Sequence, residues 1–191
     1  GLRLTGVITS SQDKAGTDAA AFGGLDAPTG VTLTTDVDAA LAASDAVAYM
    51  ASGDIRPDEA IADIERCLRA GKHVVTPSLY SLYDPASAPP EWVQRLTAAA
   101  EEGGASLLVS GVDPGFANDL IPFAFAGTCQ RVEQVRCMEI ADYATYDGAI
   151  VMFDVMGFGK PLDETPMLFL PGILGLAWGT TMRLLAAGLG I

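Results

Sequence analysis

The amino-acid sequence predicts an α/β protein, a parallel sheet alternating with helices, followed by part of a second, α+β domain. Three observations carry this. Apolar runs of strand length begin near residues 45, 73 and 106, one helix-length segment separates each pair, and the alternation stops after residue 131. Parallel neighbours must be joined by a long crossover, so strand–helix–strand is the rhythm they impose.

The elements follow in chain order. Leu2–Thr9 (LRLTGVIT) is an apolar, β-branched run, and Asp45–Met50 (DAVAYM) is another. Pro57, with Asp58 and Glu59 beside it, opens a helix whose core face is Ile61, Ile64 and Leu68 and which Gly71 ends. His73–Thr76 (HVVT) is a short strand. Pro89-Pro90-Glu91 opens a second helix with the stripe Trp92, Val93, Leu96, closed by Gly103-Gly104; Ser106–Ser110 (SLLVS) is the next strand. A helix over Phe116–Ala126 is expected to belong to both domains, which sets residues 1–126 against residues 127–191. Beyond it, VEQVRCMEI and AIVMFDVM read as strands of a different plan. Glu139, Asp142, Tyr143, Tyr146 and Asp147 beside them are either a substrate-pocket face or, more commonly, a solvated charged one.

Composition narrows the function classes. The 191 residues hold one full domain, or one plus part of a second, and with half of them hydrophobic a large core is expected. A net charge of −13 repels phosphate backbones, which makes nucleic acid a poor candidate partner. Three unpaired cysteines (Cys67, Cys129, Cys137) and a single histidine, His73, build neither a disulfide scaffold nor a Cys/His zinc site, and no metal site is expected. Free thiols and the lack of a basic-then-apolar leader point to the cytoplasm. Leu168–Ile191 is long enough to span a bilayer but is broken by Pro171, Thr180, Thr181 and Arg183. It reads as a buried loop and helix, not a membrane span.

In an open parallel sheet, ligands meet the carboxyl ends of the strands. Four such ends are readable. The first, Thr9-Ser10-Ser11-Gln12-Asp13-Lys14, pairs hydroxyls (Ser10, Ser11) with a cation (Lys14), a set suited to a ribose 2′-phosphate, although Asp13 sits among them; the alternative is a polar surface loop. The second, Met50-Ala51-Ser52-Gly53, offers small residues for close backbone approach, or an ordinary turn. The third runs from Thr76-Pro77-Ser78 through Tyr80 and Tyr83 to Pro85; its tyrosines either donate protons or cover the sheet edge. The fourth, Gly111-Val112-Asp113-Pro114-Gly115-Phe116, has type II turn chemistry and would deliver a helix N-terminus suited to an anion or a polarised carbonyl; the alternative is a plain connector. A GxGxxG loop is not among these segments, and is expected on a strand and turn upstream of Gly1. Gly190-Ile191 ends without a polar tail, so the chain reads as cut at both ends.

Together LRLTGVITSS with Asp18-Ala19, GVTLTTDVDAAL, AGKHVVT, GVDPGFANDLIP and MGFG at Met156–Gly159 resemble the dihydrodipicolinate reductase-like NAD(P)-dependent oxidoreductases, most closely the amine dehydrogenase and 2,4-diaminopentanoate dehydrogenase branch. The resemblance covers nearly the whole chain. It implies an N-terminal Rossmann domain and a C-terminal domain carrying substrate and homodimer contacts. Carried over by position, Ala51, Ser52, Thr76, Pro77 and Ser78 would line the nicotinamide side, and Gly111, Asp113 and Pro114 would lie where cofactor and substrate meet. Two departures stand beside these matches. The paired-histidine and lysine motif of the lysine-pathway reductase is missing, and the loop after His73–Thr76, acidic in the amine dehydrogenases, shows Leu79 and Tyr80 with no carboxylate before Asp84.

The resulting expectation is hydride transfer to or from a C=N or C=O carbon of a small molecule, with NADP(H) preferred, NAD(H) allowed and Tyr80 as proton donor. The cofactor would carry the chemistry and the protein would orient it. Two alternatives remain open: a non-catalytic nucleotide-binding or assembly module, and flavin or nucleotide binding on a flavodoxin-like sheet.

Overall fold

Short parallel strands with helices between them make up the first half of the chain in the computed structural model, which describes residues 1–53 and 55–191. Two compact units divide it, Gly1–Thr76 with Gln94–Leu108, and Pro77–Val93 with Val109–Ile191. The helical region expected to straddle a boundary at residue 126 lies wholly in the second unit.

In the first unit, β1 (Val7–Ile8) pairs in parallel with β2 (Leu33–Thr34), Val7 opposite Leu33 and Ile8 opposite Thr34. The expected strand Leu2–Thr9 is paired only at this end. Its partner is two residues long, held between the Asp18–Thr32 bridge and Asp36, which caps α2 (Val37–Ala42) by accepting from Ala39 N at 3.0 Å. A second parallel sheet has the order β3-β4-β5, formed by β3 (Ala46–Ala48), β4 (His73–Thr76) and β5 (Leu107–Val109). Ala46 faces His73 and Ala48 faces Val75. The parallel α/β character is as the sequence predicts, with the strands held in two short sheets and β2 added.

Of the helices here, α1 (Ala20–Gly23) is a single turn. The crossover helix α3 (Pro57–Arg69) matches its signals: Pro57 opens it, Asp58 and Glu59 face its positive end, and Arg66 and Arg69 face its negative end. Ile61, Ile64 and Leu68 are fully buried against the sheet, each stabilising by about 1.5–3 kcal/mol. On α4 (Pro90–Gly103) the buried residues are Leu96 and Ala99, while Trp92 and Val93 are half-buried. A Cβ on Gly103 would collide with the Leu68 carbonyl, so glycine is what lets the end of α4 touch α3. Arg95 braces the two helices through both oxygens of Glu65, at 3.2 and 2.7 Å.

In the second unit, 3-10 turns at Tyr80–Tyr83 and Pro85–Ser87 pack against α6 (Ile173–Leu189). The helix α5 runs over Leu120–Ala126, not from Phe116. Pro122 explains the later start. It has no N–H to donate, which costs nothing in a first helical turn and breaks a bond anywhere further in. The expected strands after residue 131 are not strands. VEQVRCMEI has no regular structure, and Ile150–Val155 winds into a π-helical segment. An alternating pattern becomes a strand only beside a partner that takes up its amides, and the described residues supply none here. The stretch 168–191 holds α6, which buries Thr180, Thr181 and Leu185. Among the described residues no helix is long and apolar enough to cross a membrane.

Candidate active site

In the first unit, Ser10, Ser11 and Lys14 share one loop at the carboxyl end of β1. Successive turn bonds wind it, with Lys14 N donating to Ser11 O, Ala15 N to Gln12 O and Thr17 N to Lys14 O. Ser10 and Lys14 are exposed, and the Lys14 ammonium lies 5.4 Å from the Phe22 ring centre. Behind this loop stands Asp18. Its carboxylate accepts from Ala20 N, Thr29 N, Thr29 Oγ1 and Gly30 N at 2.8–3.0 Å, and these donors hold its pKa down at about 2. Ser10, Ser11 and Lys14 thus share one wound loop, and Asp18 fixes the segment that follows it.

At the carboxyl ends of β3 and β4, the buried Thr76 hydroxyl donates to the Tyr49 carbonyl at 2.7 Å and ties the two strand ends together. Thr76 therefore shapes this edge from beneath. Burial and the Asp63 carboxylate, which its hydroxyl meets at 3.0 Å, push the Tyr49 phenol up to about 12. Ala51 and Ser52 follow on the same loop. The Ser52 carbonyl accepts from Arg56 Nε at 3.1 Å and its residue is exposed.

In the second unit, Pro77 and the Gly111–Pro114 segment meet. Gly111 N donates to the Pro114 carbonyl at 2.8 Å, and a Cβ on Gly111 would stand 3.4 Å from Pro77 Cβ. Ser78 and Leu79 are buried, and Tyr80 is half-buried in its 3-10 turn.

The expected anion-binding helix N-terminus is corrected. The helix beyond the turn is short, and Asp119, fully buried, already accepts from Leu120 N at 2.6 Å and Gly115 N at 2.7 Å. The protein's own carboxylate fills that place. Tyr83 hydrogen-bonds to the same carboxylate; burial first, then the charge of Asp119, raises its pKa. Around the Pro114-Gly115 turn the backbone bonds run Gly111 N to Pro114 O and Ala117 N to Val112 O.

Asp113 has partners that sequence reasoning missed. Trp178 Nε1 donates to its Oδ2 at 3.0 Å, and Thr181 Oγ1 stands 3.5 Å from its Oδ1. The i, i+3 spacing on α6 was a visible signal, but the carboxylate it serves lies far upstream. Both α6 residues also line a cleft of about 840 Å³ with apolar walls that include Val132, Val135, Met182 and Leu185.

No protein-family model matches the chain. It is 47% identical, over all 191 residues, to a protein named amine dehydrogenase from Streptomyces virginiae, and spans 53% of that relative's length. A solved structure of amine dehydrogenase from Mycobacterium smegmatis superposes with a TM-score of 0.56 at 26% identity, covering 68% of this chain and 38% of the other. The chain is thus similar, along its whole length, to a protein named amine dehydrogenase, and spans about half of the curated relative it matches.

Proposed function

We propose that the protein carrying this sequence is an NAD(P)-dependent amine dehydrogenase, interconverting a small amine with its carbonyl compound and ammonia. The observation that carries the reading is the 47% identity, over the whole chain, to a protein of that name. The parallel strand ends support a nucleotide ligand in kind. Ser10, Ser11 and Lys14 would hold a 2′-phosphate, which favours NADP(H) over NAD(H). Ala51, Ser52, Thr76, Pro77 and Ser78 would line the nicotinamide side, with Gly111, Asp113 and Pro114 at its meeting with substrate. The cofactor supplies the hydride acceptor or donor. The chain's own residues bind, orient and move one proton, and Tyr80 is the group proposed to give it. In this reading residues 1–126 serve the dinucleotide and residues 127–191 begin a part that carries substrate and homodimer contacts.

The test is turnover of a panel of primary amines with NADP⁺ and NAD⁺, and of ketones with ammonia and the reduced cofactors, followed by nicotinamide absorbance. Tyr80→Phe is expected to lower turnover about 10²–10⁴-fold, the range of general acid catalysis, with NADPH affinity unchanged. Unchanged turnover rejects that role for Tyr80. NADPH binding with no substrate turned over supports a non-catalytic nucleotide module instead.

A further inference from the structure

The loop after β4 has no carboxylate before Asp84, so if the activity is amine oxidation, the cationic nitrogen needs an acceptor elsewhere. Two carboxylates on the segment after β5 are candidates. Asp119 is fully buried, with Gly115 N, Leu120 N and the Tyr83 hydroxyl already on it, and presents no face to a ligand. Asp113 differs. It is half-buried, and Trp178 Nε1 at 3.0 Å and Thr181 Oγ1 at 3.5 Å approach one oxygen each. A carboxylate has about four acceptor positions, so two remain for a ligand while the two α6 residues hold its plane. Those same α6 residues line the cleft, whose apolar side (Val132, Val135, Met182, Leu185) is joined by Arg131, Glu133, Arg136 and Glu139, so the carboxylate stands one side chain away from a place for an apolar body.

We infer that Asp113 is the group that binds the ammonium nitrogen of the amine, with Trp178 and Thr181 as its positioning residues. The inference rests on the proposed amine dehydrogenase reading and adds the residue that recognises the substrate's charge. The ligand it selects is a primary ammonium on an apolar body. A neutral alcohol of the same shape lacks the charge-assisted hydrogen bonds and is rejected.

The experiment reads binding, not turnover, on the 191-residue chain without cofactor. The chain has two tryptophans, so ¹H–¹⁵N spectra contain two indole N–H signals, from Trp92 and Trp178. Cyclohexylammonium is expected to shift the Trp178 signal saturably and leave Trp92 still, and cyclohexanol to shift neither. Asp113→Asn keeps an acceptor for the indole, so the fold persists, and an unmoved Trp92 signal checks it. This variant is expected to bind cyclohexylammonium at least about tenfold more weakly. An unresponsive Trp178 signal, equal response to the alcohol, or undiminished affinity in Asp113→Asn overturns the inference. Amine binding at Asp113 without turnover on any substrate would remove the proposed activity and keep the site. Turnover with Asp113-independent amine affinity would do the reverse.

Discussion

Leu79 sits with φ 59° and ψ 54°, in the left-handed region, at the bend between β4 and the Tyr80–Tyr83 turn, and its side chain is fully buried. A residue with a Cβ costs about 1–2 kcal/mol there, whereas burying a leucine stabilises by about 1.5–3 kcal/mol. The native residue thus holds a strained backbone by its burial. Leu79→Ala keeps the strain and loses the packing, so it should destabilise by about 2–5 kcal/mol. Leu79→Gly loses the same packing but relieves the backbone, a gain of about 1–2 kcal/mol set against about 0.4–1 kcal/mol of extra unfolded-state entropy. Glycine should therefore equal alanine or exceed it by up to roughly 1.5 kcal/mol, the reverse of their usual order. Urea unfolding followed by tryptophan fluorescence tests this directly, since Trp92, Trp178 and Leu79 all lie in the second compact unit. A glycine variant less stable than the alanine variant by about 1 kcal/mol or more, as at an ordinary site, would refute the reasoning.

The other expectations are briefer. Gly103→Ala places a methyl group against the Leu68 carbonyl and should cost about 1–3 kcal/mol or more, read by circular dichroism during thermal unfolding. Gly104→Ala, at φ 63° with open space around it, should cost only the backbone strain of about 1 kcal/mol. Asp18 has its pKa lowered from 3.8 to about 2 by its four donors, so its contribution to stability is full above pH 3.8 and lost as pH falls toward 2. A carboxyl-carbon NMR titration of Asp18 should show the low midpoint, and Asp18→Asn should flatten acid unfolding over that window. Lys14→Ala should weaken NADPH binding about tenfold or more and leave NADH binding unchanged, measured by fluorescence titration.

What was legible in the sequence was whatever is written in local patterns. Pro57 with its two acids, the spacing of Ile61, Ile64 and Leu68, and Gly71 mark a helix within its own length, and the observed helix obeys them. HVVT became β4 residue for residue. β2 escaped because two residues, Leu33–Thr34, are too few to show an alternation. The bonds that shape the loops escaped for a different reason. Asp18 finds Thr29 and Gly30, and Asp113 finds Trp178, through separations that no period announces. Pro122 is the opposite case, since its missing N–H was visible and argued against a helix beginning at Phe116.

The tyrosines and aspartates of the second unit show how such distant bonds redistribute chemical roles. From sequence, Tyr80 is the expected donor with Tyr83 beside it on one loop, and Asp113 an expected site residue with Asp119 nearby on another. Folding separates each pair. Tyr83 and Asp119 bond to one another, and Asp119 draws in two backbone amides besides, so both become fixtures of the turn that precedes α5. Asp113, held at its edges by α6 and half-open to solvent, keeps acceptor capacity for a ligand. In the proposed reading, the capture of Asp119 by its own turn is what leaves ammonium binding to Asp113. Breaking that capture with Tyr83→Phe should cost stability in the second unit, visible in the same urea unfolding, before it alters which residues face substrate.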